Sequence, residues 1–262
     1  MSVDFFPKFD KVKILEQNED FLIINKPSGL LVHPVKCHPV AISPEAKLFN
    51  RVNPDKYSKE QTLIEVLLKT YPEISGVGQL GRDGIVHRLD KDVSGIMVVA
   101  KTQKMYDFLI EQFQENKVKK QYLALVYGQP PKNKGIIDLP LGRNKKGKII
   151  ALTYRKQIKQ EKSAITEYEI KENFDKFSLL KINLLTGRTH QIRVHLRSIR
   201  CPIVGDQKYK LRDKKLKSPL ELNRIFLHSN SIGFYNLERK WQEIECALPL
   251  ELEDFLNKIR KN

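Results

Sequence analysis

Apolar positions along the chain follow two rhythms, one of helices and one of strands. KILEQ and FLIINKP flank the turn-prone NED and predict a hairpin near the start. In QTLIEVLLKTY, Leu63, Val66 and Leu67 recur at helical spacing; in QKMYDFLIEQFQEN, Tyr106, Leu109, Ile110 and Phe113 share one face. Between them SGIMVVAKT is a continuous apolar run rich in β-branched residues, which predicts a buried strand. Beyond residue 117 strands dominate: KQYLALVYG, GIIDLPLG, KIIALTY, SAITEYEI and FSLLKINLL, with alternation clearest in AITEYEI and LLKINLL. GRTHQIRVHLRSI returns to helical spacing through Ile192, Leu196 and Ile199. RIFLHSNSIGFYN and WQEIECALP predict a closing strand pair, and LELEDFLNKIRK a final helix. Helices mixed with turn-connected strands predict an α+β fold with a large, mainly antiparallel sheet. With no internal repeat and no long linker, a single domain over residues 1–262 is expected. Residues 35–60, polar and holding several prolines, are expected to be an irregular insertion.

Composition narrows the class. Apolar residues make up 40% of 262, enough for a sizeable core. No apolar run approaches the ~20 residues of a membrane span, and MSVDFFPKFDKVKILEQ lacks a signal-peptide core. A soluble cytoplasmic protein without membrane contact is expected. Cys37, Cys201 and Cys246 are too scattered for a disulfide framework. His33, Cys37 and His38 cluster in HPVKCHP without a second ligand group, so a polar loop is expected there rather than a metal site. The net charge of +16, from 47 Lys+Arg against 31 Asp+Glu, points to a polyanionic partner, with nucleic acid leading. The bases cluster: eight with one acid in 143–162, six with one acid in 207–217.

Three stretches carry candidate chemistry. GIVHRLDKDVSGIMVVAK sets His87, Arg88, Asp90, Lys91 and Asp92 between apolar segments, where charge is costly unless paired. Its loop leads into a rigid strand, a common setting for function. If the segment is extended, Arg88 and Asp90 face one way, and a purely structural Arg–Asp pair is as good a reading of it. LLTGRTHQIRVHLRSIRCPIVGD gathers Arg188, His190, Gln191, Arg193, His195 and Arg197 near a helix start suited to phosphate; a solvated basic face is the alternative. KKQYLALVYGQP puts Tyr122 into a strand after two lysines.

Taken in order, HRLDKDVSG, KKQYLALVYG and LTGRTHQIRVHL closely resemble the RluA-type RNA pseudouridine synthases, and NKPSGLLVHP, CPIVGDQKY and IFLHS match further blocks of that family. The resemblance covers about residues 14–250. It implies a mixed, mainly antiparallel sheet whose flanking helices and loops form a central cleft. It implies isomerisation of a uridine in transfer RNA or large-subunit ribosomal RNA, with neither metal nor organic cofactor and no obligate protein partner. It assigns the catalytic carboxylate to Asp90, the motif arginine to Arg88, the base-stacking tyrosine to Tyr122 and the basic partner of the aspartate to Arg188. His190, Gln191 and Arg193 are expected at the RNA. Val93 stands where the family usually has threonine, and with a catalytic core over about 12–250 no separate N-terminal RNA-binding domain is expected. Two other readings remain: a metal-dependent nuclease using Asp83, Asp90 and Asp92, and an RNA-binding protein without catalysis.

Overall fold

The computed structural model describes residues 12–33, 60–144, 147–152, 161–210 and 222–261. Most of the 35–60 segment, and residues 145–146, 153–160 and 211–217 of the two basic stretches, lie outside them.

The N-terminal hairpin pairs β1 (Lys13–Gln17) with β2 (Phe21–Lys26), its turn closed by the Asn18 carboxamide, which accepts the N–H groups of Asp20 and Phe21. Helix α1 (Leu63–Thr70) opens on a reciprocal Thr62–Glu65 capping box, and α2 (Gln103–Gln114) on the Thr102 hydroxyl. Between them β3 (Ser94–Ala100) is buried at every position. Then come β4 (Lys119–Tyr127), β5 (Lys134–Asp138), β6 (Leu141–Arg143), β7 (Ile149–Ala151), β8 (Ile165–Asn173) and β9 (Phe177–Leu184). Helix α3 (Gln191–Ser198), β10 (Leu227–Tyr235), β11 (Trp241–Glu245) and α4 (Leu250–Arg260) complete the chain.

The main sheet runs β1-β2-β3-β10-β4-β9-β8-β5, with β11 on β10. Among the described strand pairs of this sheet only β3–β10 is parallel. The architecture is therefore the expected α+β fold. GIIDLPLG is not one strand. It breaks at Leu139–Pro140, where proline has no N–H for a ladder, and Leu141–Arg143 leaves to pair with β7. The basic helix also starts later than its charge pattern suggests, because His190 takes a left-handed conformation (φ 55°) just before it.

Alternation along β2 and β3 feeds two cores. Leu22, Ile24, Met97 and Val99 face one core with α1, α3 and α4; Phe21, Ile23, Ile96 and Val98 face the other with α2. Apolar cover on both sheet faces explains the unbroken SGIMVVA run. Gly95 is where β3 meets β10. Its φ is 123°, and a Cβ there would lie 2.2 Å from the Ser229 carbonyl oxygen. Gly128 also has positive φ but opens onto free space. Gly128→Ala should cost about 1 kcal/mol from backbone strain alone, and Gly95→Ala several times more because the strand pair must separate. Urea unfolding of both variants checks the order.

Candidate active site

The site grows from the entrance to β3. Residues just before the HRLD stretch lie along that strand: Ile85 bridges Val99, and the Ala100 N–H donates to the Gly84 carbonyl at 2.9 Å. The Val98 N–H donates to His87 Nε2 at 3.0 Å, and the ring stacks on Phe113 with centroids 4.9 Å apart. Burial, helped by the charge of Lys120, pushes His87 down to about 3, so it stays neutral. With His87 and the buried Leu89 as anchors, Arg88 and Asp90 turn outward, and a turn closed by the Val93 N–H on the Asp90 carbonyl leads into β3.

A second loop braces this turn. Lys26, fully buried at the end of β2, donates to the carbonyls of Pro27, Leu30 and Lys91 at 2.8–3.0 Å. Burial brings its pKa down to about 7, and Arg224 adds to the shift. Gly29 N–H also donates to Lys91 O, and the Ser28 hydroxyl to Asp92 O.

Asp90 meets α3. Arg193 Nη1 lies 2.9 Å from Asp90 Oδ2, while its Nε and Nη2 grip both oxygens of Asp206 at 2.8 and 2.9 Å. Asp206 also accepts the N–H groups of Lys208 and Tyr209. Burial opposes charge on both groups. The pairing outweighs it, raising Arg193 and lowering Asp206. The two acids are unequal. Asp206 is saturated with hydrogen bonds, whereas among the described residues Asp90 Oδ1 has no hydrogen-bond partner. His190 places Nε2 3.8 Å from Asp90 Oδ2 and hydrogen-bonds Tyr209 through Nδ1; burial lowers its pKa.

Tyr122 enters from β4, which is flanked by β9 and β10. Burial raises the pKa of its phenol well above the ordinary value, with Ser229 as its hydrogen-bonding neighbour across the β4–β10 pair. Arg88, Asp90, Tyr122, Arg188, His190, Gln191 and Arg193 all line one cleft of about 580 Å³. The sequence-derived residues therefore converge on one cleft, although the expected contact to Asp90 is made by a different arginine. The basic partner of Asp90 is Arg193, not Arg188. Helix α3 begins only at Gln191, which carries Arg193 inward behind His190 and leaves Arg188 exposed, its Nε donating to the Ser163 carbonyl. Gln191, expected at the RNA, lines the cleft with its carboxamide already occupied. It is buried and spends its carboxamide on Arg188 N–H, the Thr186 hydroxyl, the Ile165 carbonyl and the Thr166 hydroxyl. Arg88 is exposed and contacts His33 at 3.1 Å. Sequence reasoning missed Asp206, Lys26 and the anchoring role of His87. Asp206 had a faint signal, an acid just after the Pro-Ile-Val-Gly reversal. The acids weighed for a nuclease diverge: Asp83 accepts the Gly76 N–H, and neither it nor Asp92 lines the cleft.

His228, buried in β10 against the Ser94 hydroxyl, is pushed down to about 4 by burial and by Arg224. With His87 it sets an acid limit. The unfolded chain protonates both near pH 6.5, and the folded chain only near 4 and 3. Their contribution is present above pH 6.5 and is lost as pH falls toward 4. The urea midpoint should fall steadily from pH 6.5 to 4.5, and less steeply in His87→Gln, whose carboxamide oxygen still accepts the Val98 N–H. A flat midpoint would contradict neutral burial.

Known proteins resemble this chain in sequence and in fold. Residues 20–198 match the family model described as RNA pseudouridylate synthase. An "Uncharacterized RNA pseudouridine synthase" of Chloroflexus aurantiacus is 38% identical, covering 90% of this chain and 66% of that protein. The "Ribosomal large subunit pseudouridine synthase D" of Blochmanniella floridana is 34% identical over 99% of this chain and 76% of its own length; that of Escherichia coli is 33% identical over 98% and 73%. The chain thus spans about two thirds to three quarters of these relatives. The solved structure of "Human RNA Pseudouridylate Synthase Domain Containing 4" superposes with a TM-score of 0.68 at 25% identity, covering 95% of this chain and 93% of that one. The chain belongs to the RNA pseudouridylate synthase family, of the RluA type, whose members are isomerases acting on uridine in RNA.

Proposed function

We propose that this protein converts a uridine of large-subunit ribosomal RNA to pseudouridine, with Asp90 as the carboxylate that acts on the ribose–uracil unit. One observation carries the reading: among the described residues lining the cleft Asp90 is the only carboxylate, and it keeps Oδ1 uncommitted there while Arg193 fixes Oδ2. The choice of ribosomal RNA rests on the printed names of the relatives in Blochmanniella and Escherichia coli; transfer RNA is the competing substrate.

The reaction detaches uracil from ribose, turns it and rejoins it through carbon 5. Substrate and product are isomers, so no redox carrier is consumed. The carboxylate serves the electron-poor sugar or the base directly, and both routes need it oriented. Arg193 supplies that orientation. Tyr122 presents a flat ring to the base, and its neutral phenol donates a hydrogen bond rather than accepting a proton. Apolar neighbours in the cleft, Val93, Leu184 and Leu227, help exclude water from the opened sugar. The target must leave its stack to reach this depth. Arg88 and Arg188, exposed at the cleft, suit the phosphates around it.

Asp90→Asn should abolish tritium release from carbon 5 of labelled RNA while affinity changes less than about threefold, because phosphate contacts dominate binding. Substantial turnover by the folded variant would defeat the assignment. Tyr122→Phe should be milder. Mapping pseudouridine in total RNA with and without the gene decides between ribosomal and transfer RNA.

The two arginines should part company. Arg193→Met strands two acids and should cost roughly 3–5 kcal/mol along with turnover. Arg188→Met should fold normally, bind RNA more weakly and lower the salt slope by about one contact. Equal effects of the two variants on urea stability would contradict the pairing of Asp90 with Arg193 rather than Arg188.

A further inference from the structure

Lys120 is a cation that the described protein leaves without an anion. It sits two residues before Tyr122 on β4, on the same strand face, and both line the cleft. It is only 8% exposed. Among the described residues it has no carboxylate partner; its Nζ lies over the Phe113 ring, 5.7 Å from the centroid. Its neighbour Lys119 is ordinary by comparison, on the opposite strand face and 2.6 Å from Glu243. The other cations of the cleft are accounted for. Arg193 has two carboxylates, and Arg88 and Arg188 are exposed to water. Lys120 has neither remedy. A ring face returns only about 0.5–2 kcal/mol, less than an ammonium loses on leaving water. Burial accordingly lowers its pKa. A methionine would fill this place at less cost, so the charge points to an anion that arrives with the ligand.

We propose that Lys120, backed by Phe113, is a phosphate subsite that takes one phosphodiester of the RNA beside the nucleotide held at Tyr122. The inference rests on the RNA-isomerase reading and adds to it a fixed backbone register. Two strand residues span roughly 7 Å, the scale of one nucleotide, so a phosphate at Lys120 would set how far the flipped base enters. Asn116 and Gln114 at the end of α2 line the same part of the cleft and offer polar side chains to the sugar-phosphate edge.

The test uses a heptamer of adenylates with one central uridine, which fixes register, and the same oligomer with a single uncharged methylphosphonate at each linkage in turn. Affinity is measured against salt for the wild-type protein, Lys120→Met and Lys120→Arg. Lys120→Met should bind about tenfold more weakly, with the log–log salt slope reduced by about 0.7 for one single-strand phosphate. Lys120→Arg should keep the slope. One methylphosphonate should weaken the wild-type protein and add no further loss in Lys120→Met. The urea midpoint of Lys120→Met should be no lower than wild type, since a buried charge has gone; if that variant does not fold, Lys120→Gln replaces it. An unchanged slope, additive losses at every linkage, or no wild-type binding at low salt would overturn the subsite. A loss of single-turnover rate with an unchanged slope would overturn it in favour of contact with the uracil. Wild-type protein that shows the Lys120-dependent slope yet forms no pseudouridine in any RNA would sink the isomerase reading and leave the subsite standing.

Discussion

The Arg193 guanidinium, held between Asp90 and Asp206, is the contact on which the site depends. An arginine this deeply buried is tolerated only if its charge is matched and its N–H groups are used. Its two acids come from different places: the loop before β3, and the reversal that follows α3. Each of the three is misplaced without the others, so the ion triad closes the fold and builds the site in one step. The inequality of the acids gives the triad a direction. Asp206 takes four hydrogen bonds and acts as a fixed counter-charge. Asp90 takes one from Arg193 and faces the cleft with the other oxygen.

The scaffold makes that direction stable. β3 is covered on both faces and pinned to β10 through Gly95, so its leading turn springs from a rigid base. His87 replaces a strand neighbour for the Val98 N–H, and Lys26 gathers three carbonyls beneath the same turn. Both are polar groups taken out of water and then fully used. They hold backbone rather than substrate, which is why a search for chemistry by residue type passes over them.

Most of the fold was legible in the sequence because periodicity reports burial directly. The β1–β2 hairpin, the buried β3 run and the apolar faces of α1 and α2 fall where the patterns put them. The misreadings have local causes. Pro140 splits a run that looks continuous, and the left-handed His190 delays α3, which rotates Arg193 inward and Arg188 outward. Charge pattern alone does not separate two arginines five residues apart. The difference lies in the helix start and in Asp206, which lies thirteen residues beyond Arg193 and reaches it only through the chain reversal. The placement of Asp90, Arg88 and Tyr122 at one cleft was legible through the motif blocks. Lys26, His87 and Asp206 act through contacts between blocks, which no single block contains.

The site divides into a fixed part and an adaptable part. Asp90, Arg193 and Tyr122 are locked by partners or by burial, the His87 ring is held neutral beside them, and burial lowers the His190 pKa. A preformed constellation spends little energy on rearrangement when a base enters, yet it also cannot reach out to draw that base from its stack. In the proposed reaction that work would fall to exposed groups with charge to offer. Arg88 and Arg188 are exposed, and the chain as a whole carries a surplus of +16. Phosphate contacts are strong, long-ranged and indifferent to sequence, so they can offset the few kcal/mol that unstacking a base requires. In the proposed reaction, selection of one uridine would then come from the shape of the RNA around it and from the depth to which the cleft admits a nucleotide, because Asp90, Arg193 and Tyr122 are too constrained to adapt to it.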